Sequence, residues 1–242
     1  MTLITSLFPL ACWLAYNYGV PFVERRTPSL SVIMSMQRRR WVANATRRES
    51  PLDAILSGNL MGSVSFLAST SVLLVLAIFA AFGQIPAVMD SLKTVGFGAG
   101  YDMHDVQLHL AALVAIFVLS FFSFTLSLRQ FNHFCIMLGA IDHSTDTSED
   151  EITAIAQLNT MAAKNFNNGI RGFYFAVPMV AWFFANWLAI VISLVMVSFI
   201  IVREFFSPAH RLAASVTVIA SRREKPAAES RKPEGADRSS GL

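Results

Sequence analysis

Few side chains in this sequence have types and spacings that could do chemistry. Asp102, His104, Asp105 and His109 fall within eight residues, and Asp105 and His109, four apart, would share one helical face as two metal ligands must. The plainer reading is that Asp102 or Asp105 caps a helix while the histidines sit at headgroup level, so Asp105 and His109 are kept only as candidate ligands. Cys12 and Cys135 are isolated among apolar residues, with no CxxC motif and no disulfide framework. No GxSxG, HExxH, Walker A or GxGxxG motif occurs, and Gly96-Phe97-Gly98-Ala99-Gly100 follows no strand pattern, which makes it a flexible loop rather than a phosphate cradle. A haem would need axial histidines at similar depth on facing helices, whereas His109 and His133 fall at opposite ends of one apolar stretch. No catalytic residue and no cofactor is expected, and the chain is not read as an enzyme.

Arginine placement says more. Between Glu24 and Asp53 stand seven arginines (25, 26, 38, 39, 40, 47, 48) against three acids, and Leu30, Ile33, Met34 and Trp41 recur at helical spacing after the N-cap residue Ser29. This predicts an amphipathic helix on the membrane surface, stopped by Pro51. Arg38, Arg39, Arg40, Arg47 and Arg48 are expected to engage anionic lipid, at about 1 kcal/mol for each basic residue near the surface. Nucleic acid is the competing partner for an arginine run, and attachment to a bilayer argues against it. Asp53, Arg129, Asn132, Asn167 and Arg171 all fall near predicted helix ends at similar depth, where they either form a shared polar site for an anionic headgroup or pair with one another and snorkel.

The elements that position these residues follow from composition. Of 242 residues, 54% are hydrophobic and 14% charged, and mean hydropathy is +0.52; a soluble domain carries about 25% charge. Uncharged runs at 2–23, 54–89, 106–128 and 172–202 each supply the roughly 20 apolar residues that cross a bilayer. The predicted class is an all-α, multi-pass helical integral membrane protein. Its membrane domain spans 1–207, with segments at about 2–20, 58–82, 108–128, 173–186 and 187–202, followed by a basic, disordered tail over 208–242. The first segment lacks a basic n-region and a cleavage site and is read as a retained anchor ending at Gly19 and Pro21. Gly58, Gly62, Ser65 and Ser69 form one small-residue face, and Ser120, Ser123 and Ser127 another, both suited to helix packing. The acidic stretch 142–151 opens a surface helix, capped by Thr147 and running to Lys164.

Residues 173–202 would make about 45 Å of helix, either one tilted span or two short ones. Charge bias favours two, with a break near Asn186. If the arginine-rich first loop is cytoplasmic, a single last crossing would export a tail carrying eight Lys or Arg (203, 211, 222, 223, 225, 231, 232, 238). The N-terminus then lies outside, and the chain makes five crossings. None of the four apolar runs holds Asp, Glu, Lys or Arg, which argues against a pump built on a central carboxylate.

Several ordered blocks carry a resemblance: Asp53-Ala-Ile-Leu-Ser-Gly-Asn-Leu60 with Phe66-Leu-Ala-Ser-Thr70, Leu128-Arg-Gln-Phe-Asn132 with Leu138-Gly-Ala140, Phe166-Asn-Asn-Gly-Ile-Arg171, Tyr174-Phe-Ala176, Trp182-Phe183 and Arg203-Glu-Phe205. Over about residues 3–207 the chain resembles the multi-pass membrane family catalogued as domain of unknown function 599. The resemblance implies the architecture and a bacterial inner-membrane location, and lends no catalytic residue. The expected function is a structural or accessory membrane component that associates with itself or another membrane protein and with anionic lipid. The alternative is a small-solute transporter or channel.

Overall fold

The computed structural model describes residues 2–24, 27–48, 50–97 and 100–229; Arg25, Arg26, Gly98, Arg231, Lys232 and Arg238 lie outside the described residues. Within them the chain forms α1 (Thr2–Glu24), α2 (Leu30–Ala45), α3 (Pro51–Phe82), α4 (Ile85–Thr94), α5 (Met103–Gly139), α6 (Glu149–Trp182), α7 (Asn186–Ile201), a π turn (Val202–Phe206) and α8 (Pro208–Glu229), and no strand. Short polar side chains set the helix starts by accepting the otherwise orphaned first N–H groups. Ser29 Oγ accepts from Val32 N at 3.3 Å, Asp102 Oδ1 from Asp105 N at 2.7 Å, and Ser148 Oγ from Glu151 N at 3.2 Å. The α6 cap is therefore Ser148 and not Thr147. Pro51 does not stop α2, which ends at Ala45; it opens α3 at its first position behind the cap Ser50, where its missing N–H costs nothing.

Four helical stretches are long and apolar enough to cross a bilayer: Leu3–Glu24, Pro51–Phe82, Met103–Gly139 and Asn186–Ile219. The all-α multi-pass class holds. The expected segment 173–186 is not a separate element, because α6 runs unbroken through the predicted surface helix and on to Trp182. At 1.5 Å per residue it is about 51 Å long, and it lies antiparallel against α5 through both halves. Successive ties mark the pairing: Gln130 to Asn165, Ser127 to Ala162, and His109 to Met179. The chain then breaks at Ala185, whose extended φ of −160° precedes α7. The predicted break near Asn186 is thus present.

Three other expectations need correction. The first helix continues past Gly19 and Pro21 to Glu24, since a proline removes one backbone bond and the flanking residues Tyr16 and Val20 are held in the core. The loop after α3 contains α4, an amphipathic helix of almost three turns whose Ile85 is buried. The tail from Pro208 is helical through Glu229 rather than disordered. It docks on α2, where Gln37 Nε2 donates to Thr217 Oγ1 at 2.9 Å, and His210 Nε2 reaches Pro28 O at 3.0 Å.

The core has two parts threaded by α5. One gathers Trp13, Tyr16, Leu113, Ile116, Phe175 and Met179 from α1, α5 and α6. The other gathers Val42, Val64, Phe124, Phe134 and Ile155 from α2, α3, α5 and α6. Phe173 joins them, with its ring 5.3 Å from Phe117 and 5.9 Å from Phe124. Lipid provides no hydrophobic drive between helices, so close contact matters, and Gly169 and Gly172 of α6 allow such contact with α5. A methyl on Gly169 would run into the Phe124 ring, and one on Gly172 into the Ser120 hydroxyl.

Candidate functional site

At the end of the bundle that holds the α6–α7 turn, the groups expected to do chemistry instead hold the fold. His109 is fully buried. Its Nε2 lies 2.7 Å from Met179 O, which can only accept, so Nε2 carries the proton and Nδ1 accepts from the Ser6 hydroxyl at 2.6 Å. The ring stacks on Trp182 at 4.2 Å, and Tyr101 stacks on the other face of the same indole at 4.3 Å. The last carbonyls of α6 have no helical donors of their own, yet all four are satisfied. Met179 O takes His109, Val180 O and Ala181 O take the N–H groups of Phe183 and Phe184, and Trp182 O takes the Tyr101 hydroxyl at 2.8 Å. With both nitrogens of His109 engaged, the Asp105/His109 pair is not assembled for a metal; among the described residues no three His, Cys, Asp or Glu side chains group to hold one.

The opposite end differs. Where α2, the middle of α6 and the end of α7 meet, a crevice of about 210 Å³ is lined by Ser31, Arg38, Asn167, Arg171, Tyr174, Arg203 and Glu204, among others. The local folding reasons are legible. Ser29 starts α2 so that Ser31 and Arg38 face α6, and the π turn, a rare element concentrated at functional sites, places Arg203 and Glu204 beside them. Asn167 Nδ2 donates to Ser31 Oγ at 3.2 Å, and Ser31 N donates to Glu204 Oε1 at 3.2 Å. Arg203 Nη1 donates to Tyr174 Oη at 2.6 Å. Arg171 donates to Asn17 Oδ1 at 3.3 Å and lies over the Tyr16 ring at 4.9 Å. Arg38 has no hydrogen bond or ion pair among the described residues, and burial pushes its pKa down from the usual arginine range. Three guanidiniums thus face one carboxylate, an arrangement that can hold an anion.

The residues predicted to share one polar site do not. Asn167 and Arg171 belong to the crevice with Arg38, whereas Asp53 and Arg48 line a separate cavity beside α3. Arg129 and Asn132 are exposed on α5 and line neither, because α5 rotates them away from the face that meets α6. Arg39 pairs with Glu149 and donates to Thr153 Oγ1 at 3.2 Å; Arg40 is also engaged, and Arg47 is exposed.

The packing faces divide as well. Ser120 and Ser127 are buried against α6, while Ser123 turns back to Leu119 O at 2.9 Å. Gly58, Gly62, Ser65 and Ser69 are exposed, with nothing within 4 Å of where either glycine would carry a Cβ. Ser31, Tyr174, Arg203 and Glu204 were missed. The available signal was the Arg203-Glu204 pair set directly after an apolar run.

Bilayer-length apolar helices with charged groups gathered at one end define a multi-pass helical membrane protein. Residues 4–209 match the family described as protein of unknown function, DUF599, and the chain belongs to that family. The crevice and the α3 cavity both fall inside the matched region. No curated protein and no solved structure matches the chain.

Proposed function

We propose that this protein is a non-enzymatic component of the bacterial inner membrane that holds an anionic, phosphate-bearing lipid headgroup in the Arg38–Arg171–Arg203 crevice. It associates with a second copy or another membrane protein through the open Gly58/Gly62 face of α3. The single observation that carries the reading is the charge imbalance in the crevice, three arginines against Glu204, with Arg38 unpaired. Positive-inside bias puts this end in the cytoplasm, where anionic lipid and the arginine-rich α1–α3 connection face each other. At about 1 kcal/mol per uncompensated basic residue, a net charge of about +2 favours a phosphatidylglycerol over a phosphatidylcholine by roughly 30-fold at low salt.

The test is native mass spectrometry of the full chain from nanodiscs of equal phosphatidylglycerol and phosphatidylcholine. Wild type should retain phosphatidylglycerol, and the Arg38→Ala/Arg203→Ala double variant should not. Equal retention by wild type overturns the lipid reading. Mild-detergent purification tests association: a stoichiometric partner or homo-oligomer lost in Gly62→Leu supports it, and a monomer that moves solute across vesicles replaces it with the transporter alternative.

A further inference from the structure

A cavity of about 510 Å³ opens between the α2–α3 turn, the first turns of α3 and the end of α5. Asp53 on its wall is only 7% exposed. One carboxylate oxygen, Oδ1, accepts both the Trp41 indole N–H at 2.5 Å and an Arg48 N–H at 3.0 Å. The other oxygen, Oδ2, has no hydrogen bond among the described residues.

One helical turn along the same face, Ser57 is 2% exposed and its hydroxyl has no partner. Ser71, the other buried hydroxyl of α3, instead turns back to Leu67 O at 2.9 Å. A buried hydroxyl left unsatisfied is costly, and a native structure that keeps one needs a reason for it. Gly58 puts no side chain across the mouth, and nothing lies within 4 Å of where its Cβ would be. Met61, Leu138 and Ile141 give apolar walls.

Charge separates this cavity from the arginine crevice. Asp53 and Arg48 cancel, so its lining carries one fixed charge of each sign and no excess. A simple anion gains nothing here over water, and a simple cation would meet Arg48. The complementary ligand carries a hydrogen-bonding cation and an anion close together. Asp53 sits in the first turn of an apolar 32-residue helix, at the level where headgroups begin.

We propose that this cavity binds a primary-ammonium phosphate zwitterion of the phosphoethanolamine type, its ammonium donating to Asp53 Oδ2 and Ser57 Oγ and its phosphate accepting from Arg48. An ammonium offers three N–H donors, enough for both oxygens, and a guanidinium with one N–H committed to Asp53 keeps others for phosphate. A trimethylammonium has the same charge and no donor, so phosphatidylcholine is the discriminating control.

The experiment uses the full chain in nanodiscs of equal phosphatidylethanolamine and phosphatidylcholine, with retained lipid counted by native mass spectrometry. Wild type should prefer phosphatidylethanolamine roughly tenfold, the size of one charge-assisted hydrogen bond. Ser57→Ala, which removes a hydroxyl that makes no hydrogen bond and so leaves folding intact, should cut that preference several-fold. Asp53→Asn keeps an acceptor for Trp41 and Arg48 and should bring the preference near one. Soluble phosphoethanolamine is the second arm. If it raises the melting temperature of wild type and not of Ser57→Ala, while the two lipids are retained equally, the zwitterion site stands and its source is a free solute. Equal retention of both lipids with no response to phosphoethanolamine overturns the proposal, as does a preference unchanged in both variants. Arg38→Ala should lower phosphatidylglycerol retention and leave the phosphatidylethanolamine preference alone, which separates failure of this site from failure of the crevice.

Discussion

Replacing Gly169 with alanine tests the packing account most sharply. An added Cβ would press on three atoms of the Phe124 ring. That ring cannot yield, being fully buried with Phe166 at 6.0 Å and Phe173 at 5.9 Å. Overpacking a rigid site costs up to about 3 kcal/mol. Against it stands the helix propensity gained by replacing glycine with alanine, about 1 kcal/mol. The net loss is about 2 kcal/mol, which for a chain of this size lowers the melting temperature by about 4–8 °C. The assay is thermal unfolding in detergent, dilute enough to keep the protein monomeric. Gly62→Ala is the reference, since an added methyl there meets nothing within 4 Å; it should leave the midpoint unchanged or raise it. Phe124→Leu should suppress the Gly169→Ala defect, giving a non-additive cycle because the two residues touch. A neutral or stabilising Gly169→Ala would refute the reasoning, and so would a Gly62→Ala as damaging as Gly169→Ala.

Ser127→Ala removes the hydrogen bond to Ala162 O, made at 2.7 Å, and should cost about 0.6 kcal/mol in the same assay; Ser123→Ala should cost nothing measurable, because its hydroxyl only turns back on its own helix. His109→Leu orphans Met179 O and the Ser6 hydroxyl and should cost about 1–3 kcal/mol for each, with no change in zinc binding by calorimetry between wild type and variant. Reporters fused after Thr46 and after Leu242 should face the same side of the membrane, since α8 docks on α2; opposite sides would rule out the five-crossing path.

Helices α3 and α5 were readable because nothing in their apolar runs competes with a spanning assignment. Helix α6 was not. Its stretch Asn165 to Arg171 reads as a surface, yet three polar groups there are answered by other elements: Asn165 by Gln130, Asn167 by Ser31, and Arg171 by Asn17. Partners 35, 136 and 154 residues away leave no trace in local pattern. Glycine spacing alone does not rank the faces, for a related reason. Gly58/Gly62 and Gly169/Gly172 both mark small faces, and only the fold says which one a neighbouring helix covers. The arginines of α2 read as one group in the sequence, but Arg39 and Arg38 differ in outcome. One finds Glu149, and the other faces the crevice without pairing to its single carboxylate, Glu204.

That contrast extends to the two ends of the bundle. At the α6–α7 turn, the four carbonyls that a helix end leaves orphaned are each met, and the one buried histidine spends both nitrogens on the fold. With those carbonyls and both imidazole nitrogens taken, the histidine and tryptophan have little left with which to bind anything, however suggestive they are in sequence, although Asn186 Oδ1 at the turn stays unpartnered. At the α2 end, the uncommitted groups include three that line the two cavities: the Arg38 guanidinium, the second oxygen of Asp53 and the Ser57 hydroxyl. Folding gains nothing by keeping them so, since each pays desolvation without a hydrogen bond in return. Two cavities of different net charge, each carrying such a group, are what a membrane protein would keep if its work is to hold polar ligands at the headgroup level. Arginine excess in one and charge balance in the other then predict different headgroups, which a single mixed-lipid experiment can tell apart.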